Sequence, residues 1–67
     1  MLHSPKYGDT VIFNPPENAY SPNCLEQQFA GQVGVLEGFT ELRAKIRFKV
    51  NGELYRVSVN ACYVYDV

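Results

Sequence analysis

No stretch of this sequence approaches the ~18 consecutive apolar residues that a membrane-spanning helix needs. Its opening, MLHSPKYG, lacks the apolar segment of a secretory signal. A cytoplasmic setting with no membrane partner is therefore expected. Histidine occurs once, as His3, and cysteine twice, as Cys24 and Cys62. Neither the CxxC nor the Cys/His spacing of a metal site is present, so no metal is expected. In a reducing compartment both cysteines should be thiols, Cys62 as a small core residue and Cys24 in a loop, with a single bridge between them as the alternative.

Catalytic inventory is equally thin. The carboxylates Asp9, Glu17, Glu26, Glu37, Glu41, Glu53 and Asp66 are scattered and show no paired spacing. Cys24 has no cationic sequence neighbour to activate it as a nucleophile. Gly31, Gly34 and Gly38 fall inside a strand-like run and do not precede a helix, so they form no phosphate cradle. A nucleophile, acid or base held by supporting groups is what catalysis requires. The sequence points away from an enzyme and implies no cofactor.

What is present suits one small domain spanning residues 1–67. A chain of 67 residues buries only about 60% of its unfolded surface, near the lower limit for a core unaided by metals or bridges. Apolar residues at 46% and a net charge of −1 are far from the composition of a disordered chain. They also speak against a protein that coats nucleic acid, since such domains are usually basic throughout. The basic residues are concentrated instead in one place.

That place is Arg43 to Val59, RAKIRFKVNGELYRVSV. Two alternating runs flank Asn51-Gly52, the pair that best tolerates positive φ at both centres of a type I′ hairpin turn. Counting outward sets Val50 against Glu53, Phe48 against Tyr55, Arg47 against Arg56, Ile46 against Val57 and Ala44 against Val59. One face is then apolar: Ala44, Ile46, Phe48, Val50, Tyr55, Val57 and Val59. The other holds Arg43, Lys45, Arg47, Lys49 and Arg56, every cation of the chain but Lys6.

Before the hairpin, residues 1–9 read as a leader ending in a Gly-Asp turn, and Thr10–Asn14 as a strand stopped by Pro15-Pro16. Residues 15–30 form a long loop, with Pro15, Pro16 and Pro22 and no sustained periodicity. Loops of this length in compact domains are uncommon and often bind. Tyr20, beside Glu17 and Glu26, is either presented for recognition or anchors the loop to the core. Asn23 is a candidate N-cap for one helical turn over 23–28. Gly31–Phe39 is a second strand whose glycines signal a bulge, a bend or close backbone approach. After Val59, residues 60–62 suit a 3₁₀ turn, and Tyr63–Val67 a last strand.

Strand order and loop lengths together resemble the SH3-like barrel: all-β, small and five-stranded, with a long first loop and a 3₁₀-like turn before the last strand. Gly8-Asp-Thr-Val-Ile-Phe13 resembles the GDxVxF opening of small bacterial members. Phe29-Ala-Gly-Gln-Val-Gly-Val-Leu36 is similar to the glycine-bearing strand of KOW-type modules, and Asn60-Ala-Cys-Tyr-Val64 to the turn and Tyr-Val that close eukaryotic SH3 domains. Residues 8–20 and Ile46-Arg-Phe48 also resemble the photosystem I accessory subunit of this fold. KOW relatives imply RNA or protein partners, and the photosystem relative implies a structural subunit. Departures matter too. There is no tryptophan, so the platform on which SH3 domains dock proline-rich peptides lacks its central ring, and the acidic ALYDY-like segment is missing.

Arg47 opposite Arg56 is locally unfavourable and requires compensation. Glu37 or Glu41 within the chain would supply it, or else a partner. The overall acidity favours a protein with an acidic surface over phosphates. The expected function is a non-enzymatic protein-binding module, an adaptor or an inhibitor of the kind bacteriophages encode. Its contacts would come from Arg43, Lys45, Arg47, Lys49 and Arg56, with an apolar rim of Leu54, Val35 and Tyr20. Reversing the charges of Arg47 and Arg56 should abolish binding and leave folding intact. The alternatives are phosphate-backbone binding by the same face, a structural subunit of a larger complex, and an anionic metabolite held between protomers.

Overall fold

The computed structural model describes residues 6–67; His3 and the first part of the 1–9 leader lie outside them. The chain is all-β, with β1 (Thr10–Phe13), β2 (Gln32–Phe39), β3 (Arg43–Val50), β4 (Glu53–Asn60) and β5 (Val64–Asp66). Two 3₁₀ turns, η1 (Glu26–Phe29) and η2 (Ala61–Tyr63), sit in the connections before β2 and β5. All pairings are antiparallel, in one open sheet ordered β4-β3-β2-β1-β5. Among the described residues no helix is long and apolar enough to cross a membrane.

The β3–β4 hairpin has the register that its alternation dictates, from Val50↔Glu53 at the turn to Ala44↔Val59 and Arg43↔Asn60 at the far end. Asn51 and Gly52 take φ of 53° and 82°, the left-handed pair that matches a hairpin turn to the twist of its strands. Inward residues of this hairpin meet those of β1, β2 and β5. Val11, Phe13, Leu36, Ala44, Ile46, Phe48, Val59 and Val64 are fully buried, and Phe29 of η1 closes the core from the loop side. Its ring stacks on Phe48, 4.8 Å between centroids, and meets Tyr55 edge-on at 5.7 Å.

The glycines of β2 do different jobs. A Cβ on Gly34 would stand 2.7 Å from the carbonyl oxygen of Arg47 and 2.6 Å from Ile46 Cγ2. Only glycine lets β2 and β3 approach this closely. Gly38 follows a register shift from Leu36↔Ile46 to Gly38↔Lys45, a bulge that leaves Glu37 as the extra residue.

Several expectations are corrected. Asn23 does not cap η1: Cys24 N–H donates to Ser21 C=O in a preceding turn, and the 3₁₀ segment starts only after Leu25, with no side-chain cap. Cys62 is exposed and Cys24 half-buried, because in η2 it is Ala61 and Tyr63 that pack on the core. Tyr55 is 39% exposed, since β4 is an edge strand. The leader's end joins the sheet: Gly8 N–H donates to Leu36 C=O, and Leu36 N–H to Asp9 C=O.

Candidate functional site

Because Ala44, Ile46 and Phe48 fill the core, the residues between them must face outward, and Lys45, Arg47 and Lys49 do. Arg56 lies in register with Arg47. The β2 bulge brings Glu37 to both: its carboxylate is 3.8 Å from Arg47 Nη1 and 3.4 Å from Arg56 Nε. Glu37 is thus the compensating residue that the like-charge pair demanded, and Glu41 makes no ion pair among the described residues. Exposed pairs of this kind contribute about 0.2–1 kcal/mol each. Lys45 and Lys49 are exposed and form no ion pair among the described residues. Four cations here share one paired carboxylate.

Next to them is apolar surface. Thr10, Val33, Gly34, Val35 and Leu54 line a shallow groove of about 480 Å³ with Arg47 and Lys49 on its wall. Val33 is 45% and Leu54 63% exposed. The groove therefore offers hydrocarbon and positive charge side by side, the combination that interface centres use for anchoring and orientation.

Two of the candidate residues are engaged elsewhere. Arg43 reaches over the end of β4, where its Nη2 donates to Ser58 C=O at 2.8 Å and its Nε to Ser58 Oγ at 3.3 Å. The same Nη2 lies 3.3 Å from Glu26 Oε2. Tyr20 is half-buried against Phe13 and Tyr63, at centroid distances of 6.2 and 6.1 Å, and its hydroxyl donates to Glu26 Oε1 at 3.1 Å. It anchors the 15–30 loop and does not join Val35 and Leu54 in a rim. Burial, then the hydrogen bond and negative charge of Glu26, push the Tyr20 phenol up to about 12. Glu26 also accepts the Asn60 backbone N–H at 2.9 Å. One carboxylate thereby joins the first loop, β3 and the β4–η2 junction.

Glu26 is the residue that sequence reasoning undervalued. Glu26 meets Asn60 across 34 positions, a relation that no local pattern announces. Glu37 was legible, with Glu41 as the alternative, because Arg47 opposite Arg56 called for a nearby carboxylate. On the other side of β4, Tyr55 donates to Glu53 Oε2 at 2.6 Å, and that bond raises the Tyr55 phenol above its ordinary 10.0.

Among the described residues, no group of three or more His, Cys, Asp or Glu side chains is placed to hold a metal ion. Comparison with protein-family models, with curated proteins and with solved structures gave no match.

Proposed function

We propose that this chain is a non-enzymatic SH3-like barrel module that binds an acidic protein partner through the outer face of β3 and β4, as an adaptor or an inhibitor. The sheet order β4-β3-β2-β1-β5, the long connection before β2 and the 3₁₀ turn before β5 support the barrel. One observation carries the functional reading: Lys49 and Arg47 share a groove with exposed Val33 and Leu54. Phosphates need the cations alone, whereas a protein also uses the hydrocarbon.

The surplus charge steers an acidic partner into contact, and the apolar floor holds it once there. Arg43 and Tyr20 contribute indirectly, by fixing the loop and the end of β4.

The test is a tagged pull-down from source lysate, with and without nuclease, comparing the native chain with Lys45→Glu/Lys49→Glu. Among the described residues both lysines lie outside every ion pair, so the double variant changes the surface field without breaking one. A protein that survives nuclease and is lost with the lysine variant supports the proposal. Recovery of nucleic acid, or loss of every partner after nuclease, moves the assignment to phosphate-backbone binding. A protein held equally by both chains places the contact away from this face.

A further inference from the structure

In a two-residue hairpin the pair flanking the turn is hydrogen-bonded, and the bonding then alternates along the ladder. With Val50↔Glu53 as the first pair, Tyr55, Val57 and Val59 direct their backbone groups to β3. Leu54, Arg56, Ser58 and Asn60 direct theirs away from the sheet. Two of these outward groups are taken near the end of the strand: Ser58 C=O accepts from Arg43, and Asn60 N–H donates to Glu26. Both contacts fit the parity, since each takes a β4 backbone group that this alternation leaves unpaired by β3.

Toward the turn the edge has no such cover. β4 is terminal in the sheet, and among the described residues no loop or side chain bonds to the N–H or C=O of Leu54 or Arg56, or to the N–H of Ser58. The strand there contains no proline and no bulge, two devices that commonly blunt an edge. Leu54 to Ser58 is therefore a ready template for one more strand.

The flanking side chains specify what that strand must carry. A residue of an added strand has its side chain on the same face as the β4 residue opposite it. Opposite Arg56, whose side chain is 76% exposed and meets Glu37 through its Nε alone, the match is a carboxylate, and Lys45 and Arg56 outnumber Glu37 around a second small recess that all three line. Opposite Tyr55 and Val57, both open to solvent in part, the match is apolar. Acidic and apolar residues must then alternate.

We infer that an extended segment of alternating acidic and apolar residues adds to β4 as an antiparallel sixth strand, pairing with Leu54, Arg56 and Ser58. This rests on the proposal of an acidic protein partner and states how such a partner is held. Main-chain bonds give affinity along the edge, and the alternation gives register. Antiparallel direction continues the rest of the sheet, and it is the orientation in which residues directly opposite exchange both bonds.

The probe is a synthetic peptide of about six residues, valine and glutamate alternating, added to the full isotope-labelled chain while amide exchange is followed by NMR. In the inferred pairing the glutamate opposite Arg56 and its fellows donate their N–H groups to β4, while the valine N–H groups point away. The unmodified peptide should slow exchange at Leu54, Arg56 and Ser58 by about tenfold or more. N-methylation of the glutamates should abolish this, and N-methylation of the valines should leave it. Binding that is lost with Lys45→Glu/Lys49→Glu yet leaves those three amides exchanging as before overturns strand addition while the basic face stands. Protection blocked by methylated valines overturns the antiparallel register. Absence of any binding by the unmodified peptide overturns the inference itself, and the lysate experiment then judges the face separately.

Discussion

Arg47 and Arg56 stand directly across from each other on the hairpin, and the charge that reconciles them comes from a third strand. Glu37 faces both guanidinium groups, so β2, β3 and β4 are joined on the outside as well as through the core. Charge reversal at Arg47 and Arg56 would place two new carboxylates against Glu37. That double variant therefore disturbs the sheet too, whereas Lys45 and Lys49 form no ion pair among the described residues, so binding can be tested there without breaking the Glu37 pairs.

Glu37→Gln should expose the repulsion. It removes two partly screened pairs and leaves the like charges facing, at a cost of about 1 kcal/mol. Urea unfolding at low and high ionic strength checks it: added salt should recover part of the loss, because salt screens exposed charges. A loss indifferent to salt would show that Glu37 matters through packing.

Glu26→Ala should cost more, about 1.5–3 kcal/mol, because bonds to a charged group are stronger than neutral ones and the Asn60 N–H and Tyr20 hydroxyl both lose their acceptor. The Glu26 side chain is only 15% exposed, so water replaces it poorly. Denaturant midpoints give the cost, and faster exchange at the Asn60 amide locates it.

Tyr20 gives the fold a dependence on alkaline pH. The folded chain holds the phenolic proton more tightly, up to about 12 against the ordinary 10.0, so the folded state binds more protons in that interval. Stability from this group is complete below pH 10 and declines as pH rises toward about 12. Thermal unfolding across this range should show the decline, and Tyr20→Phe should flatten it. Equal slopes in both proteins would assign the alkaline loss to other groups.

Gly34 is the one glycine at which an added Cβ meets other atoms within 4 Å, so Gly34→Ala should be damaging. The added carbon meets the Arg47 carbonyl oxygen at 2.7 Å, and a backbone atom in a paired strand has little room to retreat. A loss of about 1–3 kcal/mol is expected, read as a lower urea midpoint. An unchanged midpoint would mean that β2 and β3 separate easily.

Much of the sheet was legible because the period-2 pattern is local. Alternation from Ala44 to Val50, with Asn51-Gly52 as a fixed origin, determined which residues face the core and which face outward, down to Arg47 opposite Arg56. The glycines of β2 announced irregularity, though not that Gly38 adjoins a bulge while Gly34 marks a close approach. The loop was the opposite case. Whether Tyr20 was presented or packed depended on Phe13, Tyr63 and Glu26 meeting in space, and Asn23 looked like a cap only because the preceding turn at Ser21–Cys24 was not foreseen. Sequence patterns carry information over a few residues, and Glu26 works over 34.

Glu26 also bears on how the chain assembles and opens. Its partners Tyr20, Arg43 and Asn60 come from three separate parts of the sequence, so this junction forms only after the hairpin and loop have already come together. The hairpin, closed by a two-residue turn, has the low loop-closure cost of an early event. In the native state the loop is held at two places, by Glu26 at the β4–η2 junction and by Phe29 stacked on Phe48, so letting the loop go would uncover the core as well as break the junction.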